Sequence, residues 1–270
     1  SIGYPDLENS TYKKFWPATH IVGKDILRFH AVYWPAFLMA ADLAPPKRIF
    51  AHGWWTNEGK KISKSLGNTI DPYEIILEYG LDQFRFYLFR EVPFGNDGDF
   101  SKSAISQRIN ADLSNNYGNL IQRIASFIVK NCNSEILKPK KLYESDEKLL
   151  KSFNQTFQNY LSNMNKYQVD RAIKNIFEYL TEVNTYIDNQ APWSLKKTNF
   201  QRMIDVLYVV TLVTIKSSIL LQPIIPSSVD KILNIYNFSL KELNLVNINN
   251  FNPNKIKLNL PKPIFPRIEK

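Results

Sequence analysis

Cysteine is almost absent from this chain. Among 270 residues only Cys132 carries a thiol. That excludes an internal disulfide framework and any multi-cysteine zinc site within the chain, and it agrees with a reducing compartment. No basic-then-apolar leader follows Ser1, so no secretory signal is read. Long hydrophobic runs are missing as well. The most apolar stretch, Val206 to Ile215, is closed by Lys216 and two serines. It falls short of the roughly 18 residues that a membrane span needs, so a buried core helix is expected. Glycine and histidine run out early: all nine Gly lie at or before Gly118, and His20, His30 and His52 are the only histidines. Because Gly marks turns and close backbone approaches, its absence from the rest of the chain predicts long helices with few tight turns.

What is present supports a packed fold. Hydrophobic side chains make up 44% of the chain and aromatic ones 13%, which excludes wholesale disorder. The length fits one large domain or two smaller ones. The net charge of +9 is unevenly placed. Residues 1–100 hold 11 Lys/Arg against 12 Asp/Glu, and residues 101–270 hold 23 against 13. A basic half joined to a neutral half fits a nucleic-acid-binding arm attached to something else, although a basic surface without a partner has the same composition.

The pattern along the chain agrees with two parts. His20 to Lys24 and Arg48 to Gly53 read as strands. Asp25 to Ala41 between them reads as a helix with an acidic N-cap and a kink at Pro35. This is a βαβ unit, hence a parallel sheet with ligands at the carboxyl ends of its strands. Trp54 to Lys61 reads as a hairpin around Asn57-Glu58-Gly59. Short helices follow over Pro72–Tyr79 and Asp82–Glu91. Beyond Ser101 the periodicity turns helical, with helices expected near 101–132, 145–165, 167–189, 199–221 and 227–237. The Asn-, Lys- and Pro-rich tail from about 240 reads as irregular.

Two segments could carry chemistry. Lys61-Ile62-Ser63-Lys64-Ser65 places two ammonium groups three apart in a loop after the hairpin. Such a pair can converge on a polyphosphate and neutralise charge that grows during transfer, though a surface loop of Lys and Ser has the same composition. In the helical half, Asn119 and Arg123 lie four apart on one helix face, and Pro192-Trp193 follows a helix end. Asn and Arg can read unstacked base edges while an indole offers a stacking plane. A solvated helix face for the pair, and a core anchor for Trp193, are the plainer alternatives.

Taken together these residues resemble the methionyl branch of the class I aminoacyl-tRNA synthetases. Lys61–Ser65 is similar to the K-M-S-K-S signature with Ile62 in place of Met. His20-Ile-Val-Gly-Lys-Asp-Ile-Leu-Arg-Phe-His30 with Trp34-Pro35-Ala36 is similar to that branch's H-x-x-G-K-D segment, and His52-Gly53-Trp54 to its H-G-aromatic strand. The resemblance implies α/β plus all-α architecture: the second half of a Rossmann-like catalytic core followed by a helical-bundle anticodon-binding domain. The expected divisions are 1–70 catalytic, 71–100 connecting helices, 101–240 anticodon-binding, and 241–270 a tail packed on the surface.

By the same resemblance, Phe29 and His30 bind the methionine side chain. Gly23, Asp25, His52, Gly53 and Trp55 hold the adenylate, while Lys61, Ser63, Lys64 and Ser65 act on the triphosphate. Asn119, Arg123, Pro192 and Trp193 recognise a CAU anticodon. Methionine, ATP with Mg²⁺ and tRNA-Met are the implied partners, with no zinc site in this chain, no membrane and a monomer in the cytoplasm. The second signature of the class I enzymes, H-x-G-H, is absent from the chain: Lys24 stands where the second His of His20-Ile-Val-Gly would fall. A C-terminal fragment that binds tRNA without forming the adenylate is therefore expected. A sibling synthetase, or a non-catalytic tRNA-binding module, is the alternative.

Overall fold

The computed structural model describes residues 2–63, 65, 67–269 and divides them into two units. The first comprises residues 1–70 and 94–100, the second 71–93 and 101–270. The stretch 71–100 expected to form one connector is thus shared between them.

The first unit opens with α1 (Ser10–Phe15), capped by Asn9, whose side chain accepts from the amides of Thr11 and Tyr12. Strand β1 (Thr19–Gly23) pairs in parallel with β2 (Arg48–His52), from Thr19 opposite Arg48 to Gly23 opposite His52. The intervening helical segment is more varied than the expected single helix. It begins as a 3₁₀ turn (Lys24–Ile26), passes through a π stretch (Phe29–Tyr33) and ends as α2 (Trp34–Ala40). Proline offers no amide to the helical ladder. The widened turn immediately before Pro35 absorbs that loss, so a π register stands where a kink was expected. Asp25 is not an N-cap: Gly23 takes that place and makes no side-chain cap bond.

The hairpin forms as read. Strands β3 (Trp55–Asn57) and β4 (Lys60–Lys61) are joined by Glu58 and Gly59, both at positive φ (50° and 73°), the two-residue turn that suits strand twist. The third strand of this sheet, β5 (Gly98–Phe100), lies parallel to β3. At three residues it had no periodic signal. Val22 and Phe100 are the only buried apolar side chains of this unit among the described residues. Ile21, Phe29, Val32, Phe37 and Met39 remain exposed.

The second unit is a helical bundle. Helix α3 (Pro72–Tyr79) is capped by Asp71, which accepts from the Tyr73 amide at 2.9 Å. Helix α4 (Leu81–Glu91) follows Gly80, at φ 93°. The expected 101–132 helix is α5 (Lys102–Arg108), a ten-residue π stretch (Ile109–Gly118) and α6 (Asn119–Asn131). Then come α7 (Glu144–Asn165), α8 (Val169–Gln190), α9 (Pro192–Thr198), α10 (Phe200–Leu221) and α11 (Pro226–Ile235).

Helix α10 is the axis of the core, packing on α6, α7, α8, α9 and α11. By length and composition the whole helix could cross a membrane, although its uninterrupted apolar run reads shorter. Here 94% of its 18-residue apolar window is buried inside the bundle. Helix α4 is tied to the turn before α11. Arg85 donates to the carbonyls of Ile224 (2.9 Å) and Pro223 (2.7 Å), and the buried Asp82 accepts from the Ser228 amide at 2.5 Å.

The tail differs from a surface strap. It supplies β7 (Lys255–Lys257), antiparallel to β6 (Glu135–Leu137), and buries Leu243, Ile248, Ile256, Leu258 and Phe265 in the core. Its last turn is held on the π stretch by a reciprocal pair, Asn110 Nδ2 to Ile268 O and Ile268 N to Asn110 Oδ1, both 2.9 Å. Gly118 makes room for it: a Cβ there would stand 2.8 Å from Leu113 O and 3.3 Å from the Phe265 ring.

Candidate nucleotide and RNA sites

Strands β1 and β2 end side by side at Gly23 and His52, which brings the two halves of the first candidate site together. A Cβ on Gly23 would lie 2.6 Å from Asp25 Oδ1, so glycine lets that carboxylate fold back over the strand end. Asp25 accepts a long bond from Trp54 Nε1 at 3.4 Å. Gly53 is more constrained: a Cβ would meet Asn96 O at 2.2 Å and Asp97 N at 2.5 Å, both backbone atoms that cannot step aside. His52 Nδ1 lies 2.9 Å from the Gly53 carbonyl, and its ring stacks on Phe94 at 6.1 Å. Trp55 sits in β3, half-buried and paired opposite Gly98.

The hub of this site is Trp54, which the H-G-aromatic motif includes but to which the resemblance assigns no site role. Trp54 is 47% exposed, with Lys24 Nζ 4.5 Å from its ring centroid and Lys61 Nζ at 5.9 Å. Asp97 fixes the arrangement, accepting from the Trp54 amide at 2.8 Å and from Lys24 Nζ at 2.7 and 2.6 Å. The Lys24 ammonium first, and the Trp54 amide second, hold the Asp97 carboxyl below the usual carboxylate range. Asp97 is 43 residues from Trp54 and 73 from Lys24, so no local pattern announces it. The indole face with two cations offers a platform on which a planar, anionic ligand can rest.

The Lys61–Ser65 loop is held at its base by Asn68. That side chain accepts from Ser63 N (2.9 Å) and donates to Lys61 O (3.0 Å), while Asn57 donates to Asn68 O at 2.9 Å. Ser63 and Ser65 share a hydroxyl hydrogen bond of 2.7 Å. Lys64 lies outside the described residues.

Phe29 and His30 occupy the π stretch. Phe29 is exposed and edge-on to Tyr33 at 5.6 Å. His30 Nδ1 lies 3.0 Å from Ile26 O and its ring is edge-on to Trp34 at 6.0 Å, within an aromatic group completed by Trp16 and His20.

In the bundle, Arg123 and Trp193 meet although seventy positions separate them: the guanidinium carbon lies 6.0 Å from the indole centroid. Arg123 is oriented from α8, donating to Asn184 Oδ1 at 3.1 Å and facing Asp188 at 3.3 Å. Asn184 in turn donates to Asn116 Oδ1 at 3.0 Å on the π stretch. The turn that delivers Trp193 is Ala191, in the left-handed region at φ 44°, ψ 62°, a conformation that costs an L-residue about 1–2 kcal/mol. Trp193 follows the end of α8 as read, lies within the first turn of α9, and is 44% exposed, which excludes a core-anchor role. Pro192 beneath it is buried. Asn119, one turn before Arg123, is exposed and borders an open cleft of about 470 Å³ shared with Gln122, Phe265 and Arg267.

A parallel half-sheet with a lysine- and indole-bearing edge is followed along the chain by a bundle with an exposed Arg–Trp pair, and residues 4–125 match the family described as tRNA synthetases class I (M). Residues 138–268 match the anticodon binding domain of methionyl tRNA ligase. The chain is 51% identical over 241 residues to a methionine–tRNA ligase of Rickettsia felis, covering 86% of this chain and 46% of that one. A Brucella suis methionine–tRNA ligase is 48% identical over 236 residues, covering 87% and 46%. The Mycobacterium tuberculosis methionyl-tRNA synthetase bound by methionyl-adenylate superposes with a TM-score of 0.93 at 37% identity, covering 98% of this chain and 53% of that one. Its free form gives 0.92 at 35% identity. The chain belongs to the methionyl-tRNA synthetase family and spans about half the length of the curated relatives it matches.

Proposed function

We propose that this chain supplies the adenylate-binding edge and the anticodon reader of a methionine–tRNA ligase, an enzyme that joins methionine to tRNA-Met through methionyl-adenylate. The observation that carries the reading is the exposed Trp193 indole beside the oriented Arg123 guanidinium, on a half of the chain with a strong excess of positive charge. Trp193 stacks on a splayed base, while Arg123 and Asn119 donate to base edges of a CAU anticodon. In the first unit, Gly23 and Asp25 receive the ribose and His52, Gly53 and the Trp55 backbone the adenine. Lys61, with Lys64, Ser63 and Ser65, stabilises the triphosphate of MgATP as pyrophosphate leaves. The aromatic group around Phe29 and His30 receives the methionine thioether. Without an H-x-G-H motif the chain itself is expected to give no methionine-dependent ATP–pyrophosphate exchange, and to act as a monomer.

The test is a titration with tRNA-Met bearing CAU and with the same tRNA carrying an altered anticodon, at two salt concentrations. Charge alone gives salt-sensitive binding indifferent to anticodon. Readout gives a preference of about 1–3 kcal/mol per wrong base, lost in Trp193→Ala. Equal affinity for both tRNAs refutes the anticodon assignment and favours a sibling synthetase or a generic RNA-binding module.

A further inference from the structure

The second unit contains a cavity of about 460 Å³ between α7, α10, the segment after β6 and the tail, within the size range of small-molecule sites. Its walls are mixed: Leu142, Leu150, Phe153 and Leu212 form an apolar part, and lysines, asparagines and Glu147 supply a polar one. One charged side chain of this lining is buried rather than at the rim. Lys216 is 7% exposed, on the core helix, and its ammonium lies 5.6 Å from the Phe153 ring centroid. Among the described residues it has one acceptor, the Asn249 carbonyl at a long 3.4 Å, and no ion-pair partner. An ammonium buried without a carboxylate is costly, and an apolar residue would fill the position at less expense.

We propose that this cavity binds a small organic carboxylate with an apolar body, its head group on Lys216 and its body against Phe153 and the leucines. The charge of the lining agrees: Lys138 and Lys140 stand exposed at the rim with Glu147 as the sole acidic group. A single buried cation matches a monoanion better than a phosphate dianion. Burial also pushes the Lys216 ammonium down to about 8, so it is charged at neutral pH and discharges within an accessible range. Lys138, Lys140, Glu147 and Tyr208 are the other ionisable groups facing the cavity, and burial pushes the Tyr208 hydroxyl up to about 12.

The test is calorimetric titration of the whole chain with 2-naphthoate, 2-naphthamide and 2-naphthyl phosphate, on wild type and Lys216→Met. Saturable one-to-one naphthoate binding is expected, weakened at least tenfold in Lys216→Met, with naphthamide binding the two proteins equally. Wild-type affinity for naphthoate should also fall as the pH is raised from 7 to 10, a dependence missing from the variant. Lys216→Met should melt no lower than wild type, which separates lost binding from lost folding. Equal naphthoate affinity in the two proteins, absence of saturable binding, or a pH-independent affinity overturns the proposal. Tighter binding of naphthyl phosphate than of naphthoate overturns the carboxylate assignment.

Discussion

Removing one partner of the Asp146–Arg202 pair should cost the bundle a large part of its stability. Asp146 is fully buried and Arg202 is 8% exposed at the side chain. Their two contacts, at 2.6 and 2.7 Å, are bidentate. Asp146 also accepts from Tyr186 Oη at 2.5 Å and from the Tyr143 amide at 3.0 Å, while Arg202 reaches Gln190 at 2.7 Å and lies 4.3 Å from the Tyr143 ring centroid. The cluster therefore joins the start of α7, the end of α8 and the start of α10.

Asp146→Ala strands a buried guanidinium, a change worth about 3–5 kcal/mol when nothing compensates. Gln190 and the Tyr143 ring remain, so the lower end, about 3 kcal/mol, is expected. Arg202→Met should cost a similar amount, and the double variant less than the sum, by about 0.5–3 kcal/mol of coupling. Urea unfolding followed by far-UV circular dichroism reads all three. Single losses below about 1 kcal/mol, or strict additivity, would refute the argument that the pair acts as a buried unit.

The pH dependence gives a second reading. Burial alone would raise the Asp146 carboxyl, but hydrogen bonds from Arg202, Tyr186 and the Tyr143 amide outweigh it and hold the group below its ordinary range. A depressed carboxyl contributes stability above the unfolded value of about 3.9, and this is lost as the pH falls through the lower folded value. Wild type should lose stability in that acidic window, and Asp146→Ala should lose less.

Other consequences are independent of that cluster. Amides of β1 and β2 should exchange with deuterium well before those of α10, because the first unit buries only Val22 and Phe100 among its described apolar side chains while α10 is buried along most of its length. Uniform protection in both would contradict this. Gly53→Ala should destabilise the first unit by about 1–3 kcal/mol through overpacking against the Asn96 backbone. Limited proteolysis should show earlier cleavage within residues 19–61 of that variant, and wild-type resistance would count against the close approach. Measurable methionine-dependent ATP–pyrophosphate exchange by the purified chain would refute its expected catalytic incompleteness.

Much of this fold was legible locally. Strands at 19–23 and 48–52, the Glu58-Gly59 hairpin, and helices begun by Asp71-Pro72 or spaced at three and four depend on caps, turn residues and periodicity within a few positions. The Lys61–Ser65 loop, Asn119, Arg123 and Trp193 were legible as motifs for the same reason. The three-residue strands β5, β6 and β7 were not, because pairing between distant segments stabilises them rather than any pattern of their own. The π stretches escaped as well, since helical periodicity does not distinguish one extra residue per turn over a short span.

Residue order by itself determined which chemical groups each part carries and which helix or strand presents them. Only tertiary structure decided which of those groups meet. Asp97 reaches Lys24 and Trp54, Arg123 lies beside Trp193, Lys216 is buried beside the Phe153 ring, and the polar tail buries five core side chains. Each depends on where segments far apart in the chain come to pack. That is settled by burial of apolar surface across the whole unit, a quantity no short window of sequence contains.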